Sequence, residues 1–213
     1  PDETSRSTAL QRIEASLKGM GTSAEDIAEA VARVTVCSGI EEAVPDCGFV
    51  FEAAPEKLPL KQKIFAEIER VAPADCVLAS NTSVIQISLI MEGLASRHRA
   101  LGTHWWNPPH MIPLVEVIRT QWCDGEPVDR MMTLLAEVGK TPVRVEKDVP
   151  GFIGNRLQHA LWREAISLVE NGICDAEAVD TVVKASFGRR LAVLGPLENA
   201  DLVGTDLTLD IHE

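Results

Sequence analysis

The sequence has no tyrosine, no C-x-x-C pair, no run of lysine and arginine, and no long apolar stretch. No segment approaches the roughly 18 consecutive apolar residues that a membrane-spanning helix needs. No basic segment followed by an apolar one opens the chain, so no secretory signal is visible. The formal net charge of -12 argues against a nucleic-acid partner, because phosphate binding needs a basic stripe. The cysteines are odd in number and scattered, at Cys37, Cys47, Cys76, Cys123 and Cys174. That pattern excludes a zinc knuckle and speaks against a disulfide framework. They read as reduced packing residues of a cytoplasmic protein, with no metal site.

What is present suits a globular protein. Of the 213 residues, 46% are apolar and 24% charged, enough for one large or two small domains with a sizeable core. Residues 5–18 and 24–33 read as helices, the second with Ser23 as N-cap and Glu25 and Asp26 in its first turn, where the helix dipole favours them. Short apolar, partly β-branched runs follow at 34–37, 48–52, 76–79, 99–104, 114–118 and 141–146. Helical spacing separates several of them, at 58–71 (Leu60, Ile64, Ile68 and Val71 forming a stripe) and at 127–138. This alternation predicts an α/β fold, a Rossmann-like, mostly parallel sheet covered by helices. From Gly151 on, no strand is expected. Residues 152–170, 175–186 and 198–211 read as helices. The breaker cluster Asp148-Val-Pro-Gly151 sets the expected boundary between an α/β domain (1–147) and an all-helical one (148–213).

Four segments carry candidate chemistry. In LGTHWWNPPHMIPLVEVI (101–118), His104 closes a strand, Asn107-Pro-Pro109 forces a turn, and Glu116 sits between Val115 and Val117. A carboxylate inside so apolar a run is costly without a partner. A histidine across the turn would supply one, and the hydrogen bond would orient the ring for acid/base work. The alternative is an outward-facing Glu116 and a packed core histidine. Trp105 and Trp106 fit either a pocket wall or the core. The Ala79-Ser-Asn-Thr-Ser83 loop follows a strand, where open α/β sheets bind ligands, although turn capping explains such residues equally. Asn155 follows the breaker cluster in the first turns of a long helix, beside the expected domain joint, where pockets often form; a structural role is equally open. In Phe51-Glu-Ala-Ala-Pro-Glu56, Ala53 and Ala54 leave room for a flat ring or ribose. Glu56 and Lys61 could hydrogen-bond such a group or be solvent-facing charges at a helix start.

Together and in this order, the segments F-E-A-A-P-E with Lys61, A-S-N-T-S, H-W-W-N-P-P with L-V-E-V, K-D-V-P-G-F-I-G-N-R and G-P-L-E-N-A-D-L-V-G resemble the 3-hydroxyacyl-CoA dehydrogenase family from about residue 5 to the end. That group includes free-acid branches such as gulonate 3-dehydrogenase (lambda-crystallin) and carnitine dehydrogenase. The resemblance implies an NAD-dependent oxidoreductase of fatty acid metabolism, which takes the 3-hydroxyl of a 3-hydroxyacyl-CoA to the 3-oxo form as a homodimer. It implies His104 as acid/base, Glu116 as its support, and Asn155 and Ser83 at the substrate. Ala53, Glu56, Lys61, Ser83 and Asn107 match cofactor-contacting positions. A free 3-hydroxy acid or sugar acid as substrate, and a non-catalytic structural protein of the same fold, are the alternatives; the I-P-L-V-E stretch leans toward the free-acid branch. The glycine loop G-x-G-x-x-G and the acidic residue after the second strand are absent, so the pyrophosphate and ribose lack their usual anchors. These 213 residues therefore read as an N-terminally truncated member with a shortened helical domain, expected to bind NAD weakly.

Overall fold

Five of the six apolar runs assemble as one sheet. The computed structural model describes residues 3–212. Five strands, β1 (Phe49–Glu52), β2 (Val77–Ser80), β3 (Ala100–Trp105), β4 (Leu114–Ile118) and β5 (Thr141–Val145), lie in the order β1-β2-β3-β4-β5. All neighbours pair in parallel except β3 and β4, which are antiparallel. The connections explain this. Parallel neighbours need a crossover, supplied by α5 (Leu58–Val71) between β1 and β2, by α6 (Ile87–Met91) between β2 and β3, and by α7 (Gly125–Glu137) between β4 and β5. Between β3 and β4 lies only the proline-rich turn after Trp106, so the chain reverses.

The sheet is covered on both faces, which is why β2 is wholly apolar up to its last residue and buried at every position. Its side chains alternate between two cores. Leu78 joins Phe65, Ile68, Ile87, Ile90 and Met91, from α5 and α6. Val77 and Ala79 join Val128, Met131 and Leu135, from α7. Each such fully buried Val, Leu, Ile, Phe or Met side chain contributes roughly 1.5–3 kcal/mol.

Around this sheet the chain adds α1 (Glu3–Ser7), α2 (Ala9–Gly19), α3 (Ala24–Ala32, capped by Ser23 through the Asp26 amide) and α4 (Ile40–Ala43). It ends in α8 (Gly154–Glu170), α9 (Ala176–Ala185), α10 (Pro196–Val203) and α11 (Thr205–His212). Two compact units result, one up to Arg156 and one from Leu157 onward. In the second unit, Asp175 caps α9 by accepting from the Ala178 amide at 2.8 Å. Neither α9 nor α10 contains a fully buried residue.

Several local expectations change. Residues 34–37 are not a strand; Val34 and Val36 are exposed and no neighbouring strand pairs with them among the described residues. A β-branched run without a ladder partner stays irregular. The expected helix at 5–18 is two, α1 and α2, and the one at 198–211 is broken into α10 and α11 at Gly204, whose φ of 114° no helix accommodates. The short α6 went unforeseen. On α5 the most buried line runs through Lys61, Phe65 and Ile68 rather than Leu60, Ile64, Ile68 and Val71, which places a lysine in the core. Among the described residues no helix is long and apolar enough to cross a membrane.

Candidate active site

Because β3 and β4 run antiparallel, His104 and Glu116 stand directly opposite each other in the ladder. Opposed residues project to the same face of a sheet. His104 Nδ1 lies 2.7 Å from Glu116 Oε2, and both residues are buried. The other carboxylate oxygen accepts the backbone N–H groups of Ile153 at 2.8 Å and Gly154 at 3.0 Å. Burial pushes the Glu116 carboxyl up, but the His104 hydrogen bond and the two amides outweigh it and hold it below the ordinary value of 4.5. Glu116 is thus an ionised acceptor, and Nδ1 must carry the proton between them. Nε2, on the other side of the ring, has no hydrogen-bond partner among the described residues.

The segment that delivers those amides is unusual in its backbone. Gly151 has a φ of 76°, and Phe152, not a glycine, has a φ of 49°. A bulky residue there is sterically strained. Phe152 is held by burial, its ring 5.5 Å from that of His104. Trp106 packs on His104 too, with ring centroids 5.3 Å apart. The indole lies against Gly154 so closely that a Cβ at that position would sit 2.4 Å from Cζ2. A glycine is needed for Trp106 and the start of α8 to approach this way.

A second group gathers at the carboxyl ends of β1 and β2. Asn155 in the first turn of α8 donates from Nδ2 to the Ser83 carbonyl at 3.0 Å, which links two candidate residues through a backbone oxygen. The Ser83 residue is exposed, as are Ala53 and Asn107. Glu56 Oε1 accepts from the Thr82 hydroxyl and from the amides of Val84 and Ile85, each at 3.3 Å. Burial pushes the Glu56 carboxyl up, but these bonds together with nearby Lys61 outweigh it and hold it below the ordinary range. Lys61 is fully buried. Its ammonium donates to Glu52 Oε1 and Oε2 at 2.9 and 3.1 Å, to the Asn81 carbonyl at 3.0 Å and to the Ala54 carbonyl at 3.2 Å. It is not a solvent-facing charge.

Glu52 was missed in the sequence. The available signal was a carboxylate ending the apolar strand Phe-Val-Phe-Glu. Among the described residues no cluster of three or more His, Cys, Asp or Glu could hold a metal ion. A depression along α7, lined by Phe49, Arg130, Thr133 and Leu134, includes none of the candidate residues.

A mostly parallel sheet with polar side chains at its strand ends, followed by a helical unit, is the framework of a dinucleotide-linked α/β protein. Residues 2–149 match the family model described as 3-hydroxyacyl-CoA dehydrogenase, NAD binding domain, and residues 151–213 match the family's C-terminal domain. The chain belongs to the 3-hydroxyacyl-CoA dehydrogenase family. It is 42% identical over 172 residues to L-carnitine dehydrogenase of Streptomyces griseus, covering 81% of this chain and 51% of that protein. It is 38% identical over 177 residues to 5-formyl-3-hydroxy-2-methylpyridine 4-carboxylate 5-dehydrogenase of Mesorhizobium japonicum, covering 83% and 57%. The crystal structure of 3-hydroxybutyryl-CoA dehydrogenase from Escherichia coli superposes with a TM-score of 0.82 at 31% identity, over 97% of this chain and 43% of that one. The chain therefore spans about half the length of the curated relatives it matches.

Proposed function

We propose that this chain carries the acid/base half of an NAD-linked dehydrogenase acting on a 3-hydroxyacyl-CoA. The observation behind this is the His104–Glu116 pair, which leaves one imidazole nitrogen open. Glu116 fixes the Nδ1–H tautomer, so Nε2 presents a lone pair. In the oxidation direction Nε2 takes the proton of the 3-hydroxyl, and Glu116 stabilises the imidazolium that forms. In reverse, the same nitrogen returns the proton to the 3-oxo oxygen. A bound nicotinamide would supply the hydride acceptor. The residues present suit such a group. The carboxyl ends of parallel β1, β2 and β3 lie on one edge of the sheet, with small Ala53 and Ala54 after β1 and Asn81 to Ser83 after β2, where open α/β sheets bind ligands. In this reading Ala53, Glu56, Ser83 and Asn107 contact the cofactor and Ser83 and Asn155 hold the substrate oxygen, whereas Lys61, expected among the cofactor contacts, instead shapes the loops around it, because its ammonium is buried and spent on Glu52, Ala54 and Asn81.

The test is His104→Gln in the complete gene product, with the rate followed by nicotinamide absorbance. Positioned acid/base catalysis accounts for roughly 10²–10⁴-fold, and kcat should fall by that much with little change in stability. Undiminished turnover would refute the role of His104.

A second reading, a free 3-hydroxy acid as substrate, is favoured by the names of two relatives, an L-carnitine dehydrogenase and a pyridine carboxylate dehydrogenase. Comparing kcat/KM on a 3-hydroxyacyl thioester and on the matching free acid separates the two; faster thioester turnover supports the first and places the enzyme in fatty acid metabolism. The domain boundary is put at 147/148, close to where the two family models meet. Exposed Leu202, Leu207 and Ile211 in the helical unit suit a homodimer contact. Five free thiols suit the cytoplasm.

A further inference from the structure

The Glu52–Lys61 pair, joining the end of β1 to α5, is the most completely enclosed ion pair among the described residues, and no step of the proposed chemistry uses Glu52. Glu52 is 5% exposed and Lys61 0%. Enclosing two charges is costly unless every polar atom is satisfied, and here they are. Glu52 Oε1 accepts from the Ala54 amide at 2.5 Å, and Oε2 accepts from the Ser80 hydroxyl at 2.6 Å. Both oxygens take the Lys61 ammonium, whose remaining bonds go to the carbonyls of Ala54 and Asn81. The backbone adds a further tie, from the Asn81 amide to the Glu52 carbonyl at 2.7 Å.

These bonds converge on the first turns of two loops, 53–56 after β1 and 81–85 after β2. From there the connections run outward to the chemistry. Asn81 Oδ1 accepts the amide of Trp105, the neighbour of His104, at 3.4 Å. Glu56, 3.8 Å from the Lys61 ammonium, binds Thr82, Val84 and Ile85. The Ser83 carbonyl in that loop receives Asn155. One buried carboxylate thus stands behind both loops and, through them, behind the approaches to His104 and Asn155.

We propose that Glu52 is a positioning residue, acting through Lys61 to hold the 53–56 and 81–85 loops in the arrangement that receives the cofactor. The inference rests on the NAD-linked reading for its consequence in turnover, but its structural content can be tested without ligand. In Glu52→Gln, the ammonium loses its nearer, hydrogen-bonded anionic partner and keeps only the more distant Glu56 carboxylate at 3.8 Å, and its bonds to Ala54 and Asn81 loosen. Amide hydrogen exchange of the ligand-free protein should speed up by at least tenfold at Ala54, Asn81, Val84 and Ile85, whose amides the network holds, and change little in β4 and α7. Uniform acceleration across the sheet, or none, would overturn the proposal.

Turnover gives a second arm. Glu52→Gln should raise KM for NAD by roughly tenfold with kcat within about threefold of the wild type, since His104 and Glu116 are untouched; this magnitude corresponds to one charge-assisted hydrogen bond. A loss confined to kcat would contradict a positioning role. Should Glu52→Gln fail to fold, Ser80→Ala removes only the 2.6 Å bond to Oε2 and should move both readouts the same way by a smaller factor. Unchanged exchange and KM in Ser80→Ala would then count against the proposal. If the wild type turns over no 3-hydroxy substrate, the catalytic reading fails while the exchange arm still decides the role of Glu52.

Discussion

Two buried carboxylates sit in the same sheet, each facing a basic side chain, and they are built for different ends. Around Glu52, every polar atom of both partners is engaged by protein, including all the donor capacity of Lys61. Around Glu116, the carboxylate is equally well satisfied, but its partner is not: His104 uses Nδ1 and leaves Nε2 open. A closed network rigidifies; a network with one unpartnered imidazole nitrogen can move a proton. The difference lies in the partner. An ammonium can turn three donors onto fixed oxygens, whereas an imidazole held at one nitrogen necessarily points the other away.

The largest expected effect that would break this contrast is His104→Gln, with its fall of roughly 10²–10⁴-fold in kcat. Next is Glu116→Gln. The new amide can still accept from Ile153 and Gly154 through oxygen, but its nitrogen now faces Nδ1. The ring must turn to the Nε2–H tautomer, which cannot take a proton, so kcat should drop by roughly 10²–10⁴-fold with KM nearly unchanged. A rate within threefold of wild type would mean that Glu116 is only a packing partner.

Gly154→Ala sharpens the comparison through the backbone. A Cβ there meets Trp106 Cζ2 at 2.4 Å, so either the indole or the start of α8 must shift, and the Gly154 amide with it. Overpacking of this kind costs about 1–3 kcal/mol, read as a lowered denaturation midpoint, with kcat reduced as well. An unaltered midpoint would show that the contact yields easily.

The smallest effect is in the acid limb of stability. The folded-state carboxyl of Glu116 lies below its ordinary value of 4.5. Its contribution is therefore fully present above that pH and is lost as pH falls through the depressed folded value. Glu56 and Glu69 are lowered as well and act in the same window. Denaturant titrations from pH 6 down to about pH 3 should show wild-type stability falling more steeply than that of Glu116→Gln. Parallel curves would remove Glu116 from the balance.

The sequence made the His104–Glu116 pair legible because a lone carboxylate between valines demands a partner and a proline turn brings the preceding strand back beside it. It did not convey that these two residues stand in direct register across the ladder. That follows from the turn's length once the sheet is seen. The Glu52–Lys61 pair was far less legible. A lysine in an amphipathic helix ordinarily reads as exposed, and only the packing of α5 on β1 reveals that Lys61 occupies a core position. Residues 34–37 had strand composition without a neighbour to pair with, and Ile87–Met91 was too short an apolar run to separate helix from strand.

The most direct test is of the imidazole itself. With histidines labelled with ¹⁵N, the neutral His104 ring should show a protonated Nδ1, its proton shared with Glu116, and a bare Nε2. A neutral ring protonated at Nε2, with Nδ1 bare, would contradict the assignment of His104 as the residue that receives the hydroxyl proton.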